Sequence, residues 1–250
     1  ASYMRGVDYV QVPTTLVGQI DSAIGGKTGV NLRGGKNLLG AFHHPRAVVA
    51  DPRALTTLPA REYRAGLYEG VKGAVIGDAK LFSFLEDNMD AVLARQPAAL
   101  RTVLRRSIAL KARIVGADER ERGLRRILNF GHTVGHALET LSGYQGLRHG
   151  EAVGWGMLAA TCLAVQQGLL AAAAGERIRA LVLAVGKLPP GPRVSAERVY
   201  EQLFADKKKD AGALRFVLPR GIGRVVVVSD VPRARVLRCL RALSGSRTKR

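Results

Sequence analysis

The spacing of apolar residues changes about a quarter of the way along the chain. Residues 9–13 and 47–50 are short apolar or β-branched runs bounded by Pro, Asp and Gly, a pattern that predicts buried strands. From Leu58 onward apolar residues recur at helical spacing, and Pro59 is suited to the start of a helix. The predicted helices cover residues 61–76, 100–115, 128–141, 151–170 and 176–185.

These patterns predict two unequal parts with a boundary between residues 57 and 58. Residues 1–57 are predicted to be the C-terminal remnant of an α/β domain. Residues 58–250 are predicted to form a mainly α-helical domain with a short β-hairpin near residues 214–228, where two apolar runs flank the turn sequence Pro-Arg-Gly-Ile-Gly.

The charge of the chain is unusual, whereas its composition is that of a globular protein. Of 250 residues 47% are hydrophobic, and 39 Lys and Arg against 20 Asp and Glu give a net charge of +19. Such a charge favours an anionic partner: nucleic acid, a membrane surface or a phosphorylated small molecule. The basic residues are spread along the chain and aromatic residues for base stacking are few, so we expect no nucleic-acid partner.

Two further features limit the location of the protein. Residues 152–175 carry no charge, but they contain glycines and two glutamines, so we expect buried helices and no membrane span. Cys162 and Cys239 are the only cysteines, too few for a disulfide framework, which fits a reducing compartment and a cytoplasmic location.

Glycine and lysine are concentrated in two nearby segments. Residues 21–29 read Asp-Ser-Ala-Ile-Gly-Gly-Lys-Thr-Gly, and residues 34–37 read Gly-Gly-Lys-Asn. Backbone without side chains can approach a ligand closely, and lysine can pair with a phosphate or carboxylate. A mobile surface loop explains this composition equally well.

Three of the five histidines fall close together in the helical part. His132 and His136 are four residues apart, so one helical face presents both, and His149 follows a Gly-rich turn. Such a set can converge on one metal ion. The alternative is a group of core histidines whose ring nitrogens bond to backbone groups.

Charged residues at helical spacing also suggest a site. Glu69 and Lys72, three residues apart, are either a surface ion pair or a carboxylate ligand beside a substrate-facing lysine. Lys111 lies inside an apolar stripe, so it must extend to solvent or meet a buried anion. Arg125 and Asn129, four residues apart, point toward the turn before His132.

Taken together, these motifs resemble the 3-dehydroquinate synthase family. The resemblance runs in chain order through Val-Pro-Thr-Thr-Leu at 12–16, the two Gly/Lys segments, Gly-Leu-Tyr-Glu-Gly-Val-Lys at 66–72, Asn-Phe-Gly-His-Thr-Val-Gly-His at 129–136, His-Gly-Glu at 149–151 and Asp-Lys-Lys at 206–208. It implies that residues 1–57 belong to an NAD-binding domain whose first part, with its glycine-rich pyrophosphate loop, lies upstream of Ala1.

The resemblance also implies residue roles. Glu69, His132 and His149 would hold a divalent metal, zinc or cobalt, and His136 would handle protons on the phosphate side. Arg5 matches a residue that reaches a neighbouring subunit's site, so a homodimer is expected. Positions that match NAD contacts are Thr14, Thr15, Lys27, Lys36, Ala54, Leu55, Thr56 and Thr57. Positions that match substrate contacts are Asp21, Asn37, Lys72, Lys111, Arg125, Asn129, Lys207 and Lys208.

The implied activity is the conversion of 3-deoxy-D-arabino-heptulosonate 7-phosphate into 3-dehydroquinate and phosphate, a lyase step of the shikimate pathway toward aromatic amino acids, with transient redox by NAD. A phosphorylated sugar acid would account for the excess of basic residues without nucleic acid. Two alternatives stay open: a related sugar-phosphate cyclase with another product, and an inactive basic fragment.

Overall fold

The computed structural model describes residues 1–32, 35–143, 146–208 and 214–245, without the side chains of residues 31–32, 35–38, 206–208 and 244–245. Most of the described chain is helical, as the sequence predicts, and the strands are few. The α-helices are α1 (Ala60–Gly77), α2 (Ala79–Leu93), α3 (Pro97–Ala117), α4 (His132–Leu141), α5 (His149–Gln166), α6 (Ala172–Ala184), α7 (Ala196–Lys208) and α8 (Arg233–Gly245).

The strands of the described residues pair two by two. β1 (Val10–Gln11) is parallel to β4 (Ala47–Val48), whereas β2 (Val30–Leu32) and β3 (Gly35–Leu39) are antiparallel. β5 (Arg215–Gly221) and β6 (Arg224–Ser229) form an antiparallel hairpin in the region where the apolar runs predict one.

The prediction that the first strands are buried is wrong. Val10, Val12 and Val49 are 55%, 62% and 50% exposed. Parallel strands are buried when further strands and helices cover both faces of their sheet. Within the described residues no third strand joins β1 and β4, so their apolar side chains remain accessible.

The region predicted as one helix over residues 128–141 contains the end of a 3-10 turn and a separate α-helix. A 3-10 turn covers Leu124–Asn129, and α4 begins at His132. Gly131 separates them with a φ of +79°, a left-handed conformation that glycine adopts without a steric penalty. This break places His132 in the first turn of α4.

Helix α5 lies at the centre of the helical part and is buried over most of its length, which accounts for the absence of charged residues after Glu151. Two glycines allow neighbouring helices to approach it closely. A Cβ at Gly150 would lie 1.8 Å from the carbonyl oxygen of Ala65 on α1, and one at Gly156 would lie 1.7 Å from that of Gly131. Among the described residues, no helix is both long and apolar enough to cross a membrane.

Candidate metal and substrate site

Three helices each bring one candidate metal-ligand side chain to the same point. Glu69 lies in the middle of α1, and His132 and His149 are the first residues of α4 and α5. Oε1 of Glu69 is 3.8 Å from Nε2 of His132 and 3.4 Å from Nε2 of His149. The close approach of α5 to α1 and α4 therefore brings together ligands that are up to 80 residues apart in sequence.

The donor atoms of this group fit a divalent metal ion. Bond lengths of about 2.0–2.1 Å in a tetrahedral site put neighbouring ligand atoms about 3.3 Å apart. The ligand atoms of Glu69, His132 and His149 all lie within 4.8 Å of one another. Oε1 of Glu69 is buried and accepts no hydrogen bond from the described residues. An electron-pair donor buried without a proton donor is suited to a cation.

The electrostatics of the group favour the protonation states in which Glu69 and His132 can bind a metal ion. Burial would raise the pKa of Glu69, but the charge of Lys72 and the two imidazoles hold it well below its usual value. Burial, together with the charge of Lys72, lowers the pKa of His132 to about 3. A carboxylate and a neutral imidazole are the forms that bind metal.

His149 differs from His132 in its surroundings. Burial would lower the pKa of His149, but the adjacent carboxylates of Glu139 and Glu69 raise it to about 9. Nδ1 of His149 lies 3.3 Å from Oε1 of Glu139, which is buried on α4. Its ring is therefore placed between two carboxylates.

A buried network of charges continues from the candidate ligands. Nζ of Lys72 contacts Glu69 in an ion pair whose side chains are 4% and 1% exposed, so the possibility of an ordinary surface pair is wrong. Lys111 meets Asp21, donating to its backbone oxygen at 2.6 Å and to its carboxylate. The lysine in the apolar stripe thus meets an anion, the second of the two alternatives, although Asp21 is only partly buried, with 21% of its side chain exposed.

The charges of this network influence one another. Burial would lower the pKa of Lys72, but the carboxylates of Asp21 and Glu69 raise it. Burial would raise the pKa of Asp21, but Lys72 and Lys111 lower it. For Lys111 burial dominates and lowers the pKa despite the bond to Asp21. Two lysines and two carboxylates thus alternate in sign beside the histidines.

His136 lies on the exposed side of the same cluster. Its ring centroid is 5.3 Å from that of His132 and 6.0 Å from that of His149. It is not part of the group that contains Glu69, although it belongs to a second group with Glu139 and His149. Helical spacing alone makes His132 and His136 equally good candidate ligands. The packing of the helices distinguishes them, because only His132 joins the group with Glu69.

The turn before α4 collects further polar groups. Asn129 donates to Oε1 of Glu121 at 2.8 Å, and Lys27 forms an ion pair with the same carboxylate. Arg125 is buried and donates to the backbone oxygen of Glu119 at 2.5 Å. Glu121 therefore links Lys27 of the first part of the chain to Asn129 of the second.

Other predicted residues lie apart from these contacts or outside the described side chains. Arg5 is exposed in a short 3-10 turn, Thr14 is exposed, and Thr15 accepts a hydrogen bond from the amide of Gly18 at 3.1 Å. Ala54, Leu55, Thr56 and Thr57 lie in and after the 3-10 turn Pro52–Leu55. The side chains of Lys36, Asn37, Lys207 and Lys208 are outside the described part.

Sequence reasoning missed two acidic residues of this region, Glu121 and Glu139. Glu139 is seven residues after His132 and three after His136, so helical spacing places it on the histidine face of α4. That signal could have identified it. Glu121 lies in a turn without periodicity, and no local pattern indicates its contacts.

Comparisons with known proteins agree with the resemblance in the sequence. The family described as 3-dehydroquinate synthase N-terminal matches residues 1–65, and the one described as 3-dehydroquinate synthase C-terminal matches residues 66–209. A 3-dehydroquinate synthase from Solibacter usitatus is 47% identical over 97% of this chain and 68% of its own length. One from Synechococcus sp. is 49% identical over 98% of this chain and 67% of its own.

Solved structures share the fold. A 2-epi-5-epi-valiolone synthase from Streptomyces hygroscopicus subsp. jinggangensis, with NAD+ and Zn2+ bound, has a TM-score of 0.90 and 37% identity and covers 98% of this chain and 68% of its own. A 2-deoxy-scyllo-inosose synthase complexed with carbaglucose-6-phosphate, NAD+ and Co2+ has a TM-score of 0.83 and 29% identity. The match covers 96% of this chain and 68% of the synthase chain. The chain thus spans about two thirds of the length of these proteins.

Proposed function

This chain belongs to the 3-dehydroquinate synthase family, and from that premise we propose which of its residues serve the family's reaction. The reaction converts 3-deoxy-D-arabino-heptulosonate 7-phosphate into 3-dehydroquinate and phosphate. It is a lyase step of the shikimate pathway. The convergence of Glu69, His132 and His149 from three helices is the observation that carries the proposal.

We propose that these three side chains hold one divalent metal, zinc or cobalt. When bound, the metal would acidify a chelated substrate hydroxyl and NAD would accept hydride transiently. All three lie on packed helices, so helix packing sets their backbone positions before any ligand arrives. This preorganisation suits a site that must orient a flexible sugar phosphate.

The charged residues around the metal ligands would bind the anionic substrate. Lys72 and Lys111 are held beside Glu69 and Asp21, where a phosphate or carboxylate oxygen could share their donors. Arg125 and Asn129 present further donors at the turn before α4. We propose the same role for Asn37, Lys207 and Lys208 from their motif positions.

His136 is suited to moving protons. Its imidazole is exposed yet adjacent to the rings of His132 and His149, so it can exchange protons with solvent while it faces the reacting region. We assign it to the side on which the substrate phosphate binds, because the family motif places it there.

The remaining assignments concern NAD and assembly. Thr14, Thr56 and Thr57 are exposed and can reach a nucleotide, and the same role is proposed for Thr15, Lys27, Lys36, Ala54 and Leu55. Arg5, also exposed, is proposed to reach the site of a second subunit in a homodimer. A cytoplasmic location and the division at residues 57 and 58 remain predictions.

Metal content after dialysis tests the ligand assignment. We expect about one zinc per wild-type chain and loss of the ion in Glu69→Gln and in His132→Ala, because two ligands hold zinc far less tightly than three. Glu62→Gln on the same helix and His44→Ala on the surface are matched controls that should keep the ion. Unchanged zinc in both ligand variants would refute the assignment.

Product analysis tests the reaction. The chain, alone and joined to the third of a relative that it does not span, is given heptulosonate phosphate, NAD and zinc, and phosphate and 3-dehydroquinate are measured. Formation of both products in either arm supports the proposal. Turnover of another phosphorylated sugar only would indicate a sister cyclase, and no turnover in either arm would favour an inactive basic fragment.

A further inference from the structure

A buried acidic residue that the proposed function does not use lies behind one of the proposed metal ligands. Glu139 is in the last turn of α4, and its side chain is 9% exposed. Burial disfavours a carboxylate, and the negative end of the helix dipole disfavours it further. A carboxylate in such a position requires a compensating partner.

The partner is the ring of His149. Nδ1 of His149 is 3.3 Å from Oε1 of Glu139, and Nε2 of the same ring is 3.4 Å from Oε1 of Glu69. The two ring nitrogens therefore face different carboxylates. One belongs to the proposed metal group and the other lies behind it.

We propose that Glu139 is a positioning residue that acts on the metal through His149; this rests on the proposed function. By accepting the Nδ1–H of His149, Glu139 would hold the ring in the tautomer that leaves the Nε2 lone pair available to a metal bound together with Glu69. It also fixes the ring plane. Carboxylates behind a metal-bound histidine act in this way in general, and their loss lowers metal affinity about 10–100-fold.

The effect depends on His149 being the start of a helix. The ring is 40% exposed and extends from the first residue of α5, where fewer neighbours restrict its rotation. His132, in contrast, is 12% exposed, and its Nδ1 lies 3.1 Å from the backbone oxygen of Phe130. Each proposed histidine ligand thus has its own acceptor behind it, a carboxylate for His149 and a backbone carbonyl for His132.

The test measures zinc affinity by competition with a chelator of known affinity at one pH. We expect about tenfold weaker binding in Glu139→Gln, whose amide oxygen still accepts a hydrogen bond, and about a hundredfold in Glu139→Ala. Glu151→Gln is the matched control, because Glu151 is equally buried near His149 but pairs with Arg61. The control should lose stability and keep its zinc affinity.

A double substitution shows whether Glu139 acts through His149. In a His149→Ala background, Glu139→Gln should cause no further loss of zinc affinity. The ¹⁵N shifts of the His149 ring should show one neutral tautomer in the zinc-bound wild type and a changed tautomer population in Glu139→Ala, a signal that a purely structural residue would not alter.

Four results would overturn this inference. Zinc affinity in Glu139→Ala within twofold of the wild type would leave the proposed function intact and remove the role of Glu139. An equal loss in the His149→Ala background, or about two ions per wild-type chain, would make Glu139 a direct ligand together with His136. Absence of zinc binding by the wild type would overturn both proposals.

Discussion

Replacing Lys72 by methionine removes a buried positive charge without emptying the space it fills. Lys72 and its partner Glu69 are 4% and 1% exposed, so solvent cannot replace the lost charge. Removing one partner of a buried ion pair costs about 3–5 kcal/mol, and two charges about 4 Å apart attract by about 4 kcal/mol in a partly polar interior. We therefore expect the metal-free variant to lose about 3–5 kcal/mol of unfolding free energy.

Zinc should reduce this loss. Lys72 and a metal bound to Glu69 would both neutralise the same carboxylate and repel one another. Bound zinc should therefore stabilise the variant more than it stabilises the wild type. Zinc stabilises both proteins, so the loss shrinks only by the difference between the two gains: zinc binding that is tenfold tighter in the variant would recover about 1.4 kcal/mol. Adding zinc is expected to increase the free energy of unfolding more in Lys72→Met than in the wild type.

The assay is urea unfolding followed by circular dichroism, with chelator and with saturating zinc. The metal-free loss corresponds to a Tm decrease of about 6–20 °C for a chain of this size. Lys80→Met is the matched control, because it removes the same charge from an exposed position on α2 and should change stability by less than about 0.5 kcal/mol. A metal-free loss below about 1 kcal/mol, or a difference from the wild type that zinc leaves unchanged, would refute the reasoning.

Two further substitutions test the packing and capping of the helices. Gly156→Ala should lower the free energy of unfolding by about 3 kcal/mol or more, because its Cβ would lie 1.7 Å from the carbonyl oxygen of Gly131. Gly116→Ala on α3 is the control: its Cβ would meet no atom within 4 Å, so the substitution should stabilise the protein by about 0.5–1 kcal/mol. Equal effects of the two substitutions in thermal melts would contradict this reasoning. Asp78→Asn should cost about 1–3 kcal/mol at pH 7, because Asp78 accepts from the amide of Leu81 at 2.9 Å and pairs with Arg106. Burial would raise the pKa of Asp78, but these bonds lower it, so its stabilisation is present above about pH 4 and is lost as the pH falls through the lowered value. The difference between wild type and Asp78→Asn should therefore shrink in urea titrations at pH 3, and a constant difference would count against the assignment.

Some local features of the fold were predictable. Helix α1, observed at Ala60–Gly77, begins after Pro59 as expected, since apolar spacing and a proline at a helix start act within a few residues. Helices α2, α7 and α8 were not predicted from the sequence. The end of the predicted helix over residues 128–141 is confirmed, but its start is not, because a left-handed glycine at 131 interrupts it.

Local sequence patterns were enough to identify the chemical groups that the site has available. The four-residue spacing of His132 and His136 puts both on one face of a helix, and the apolar neighbours of Lys111 leave its ammonium group either to extend to solvent or to meet a buried anion, because helical geometry is fixed locally. The order of the motifs along the chain is also sufficient to identify the family.

Which of these groups meet depends on the tertiary fold. Asp21, the anion for Lys111, lies 90 residues away in sequence, and Glu69 reaches His149 only because glycines let α5 approach α1 and α4. The distinction between His132 and His136 as metal ligands, and the placement of Glu139 behind the ring of His149, likewise depend on how three helices pack. Contacts between distant segments follow from packing that no local pattern encodes, and so the roles of these residues became distinguishable only in the folded chain.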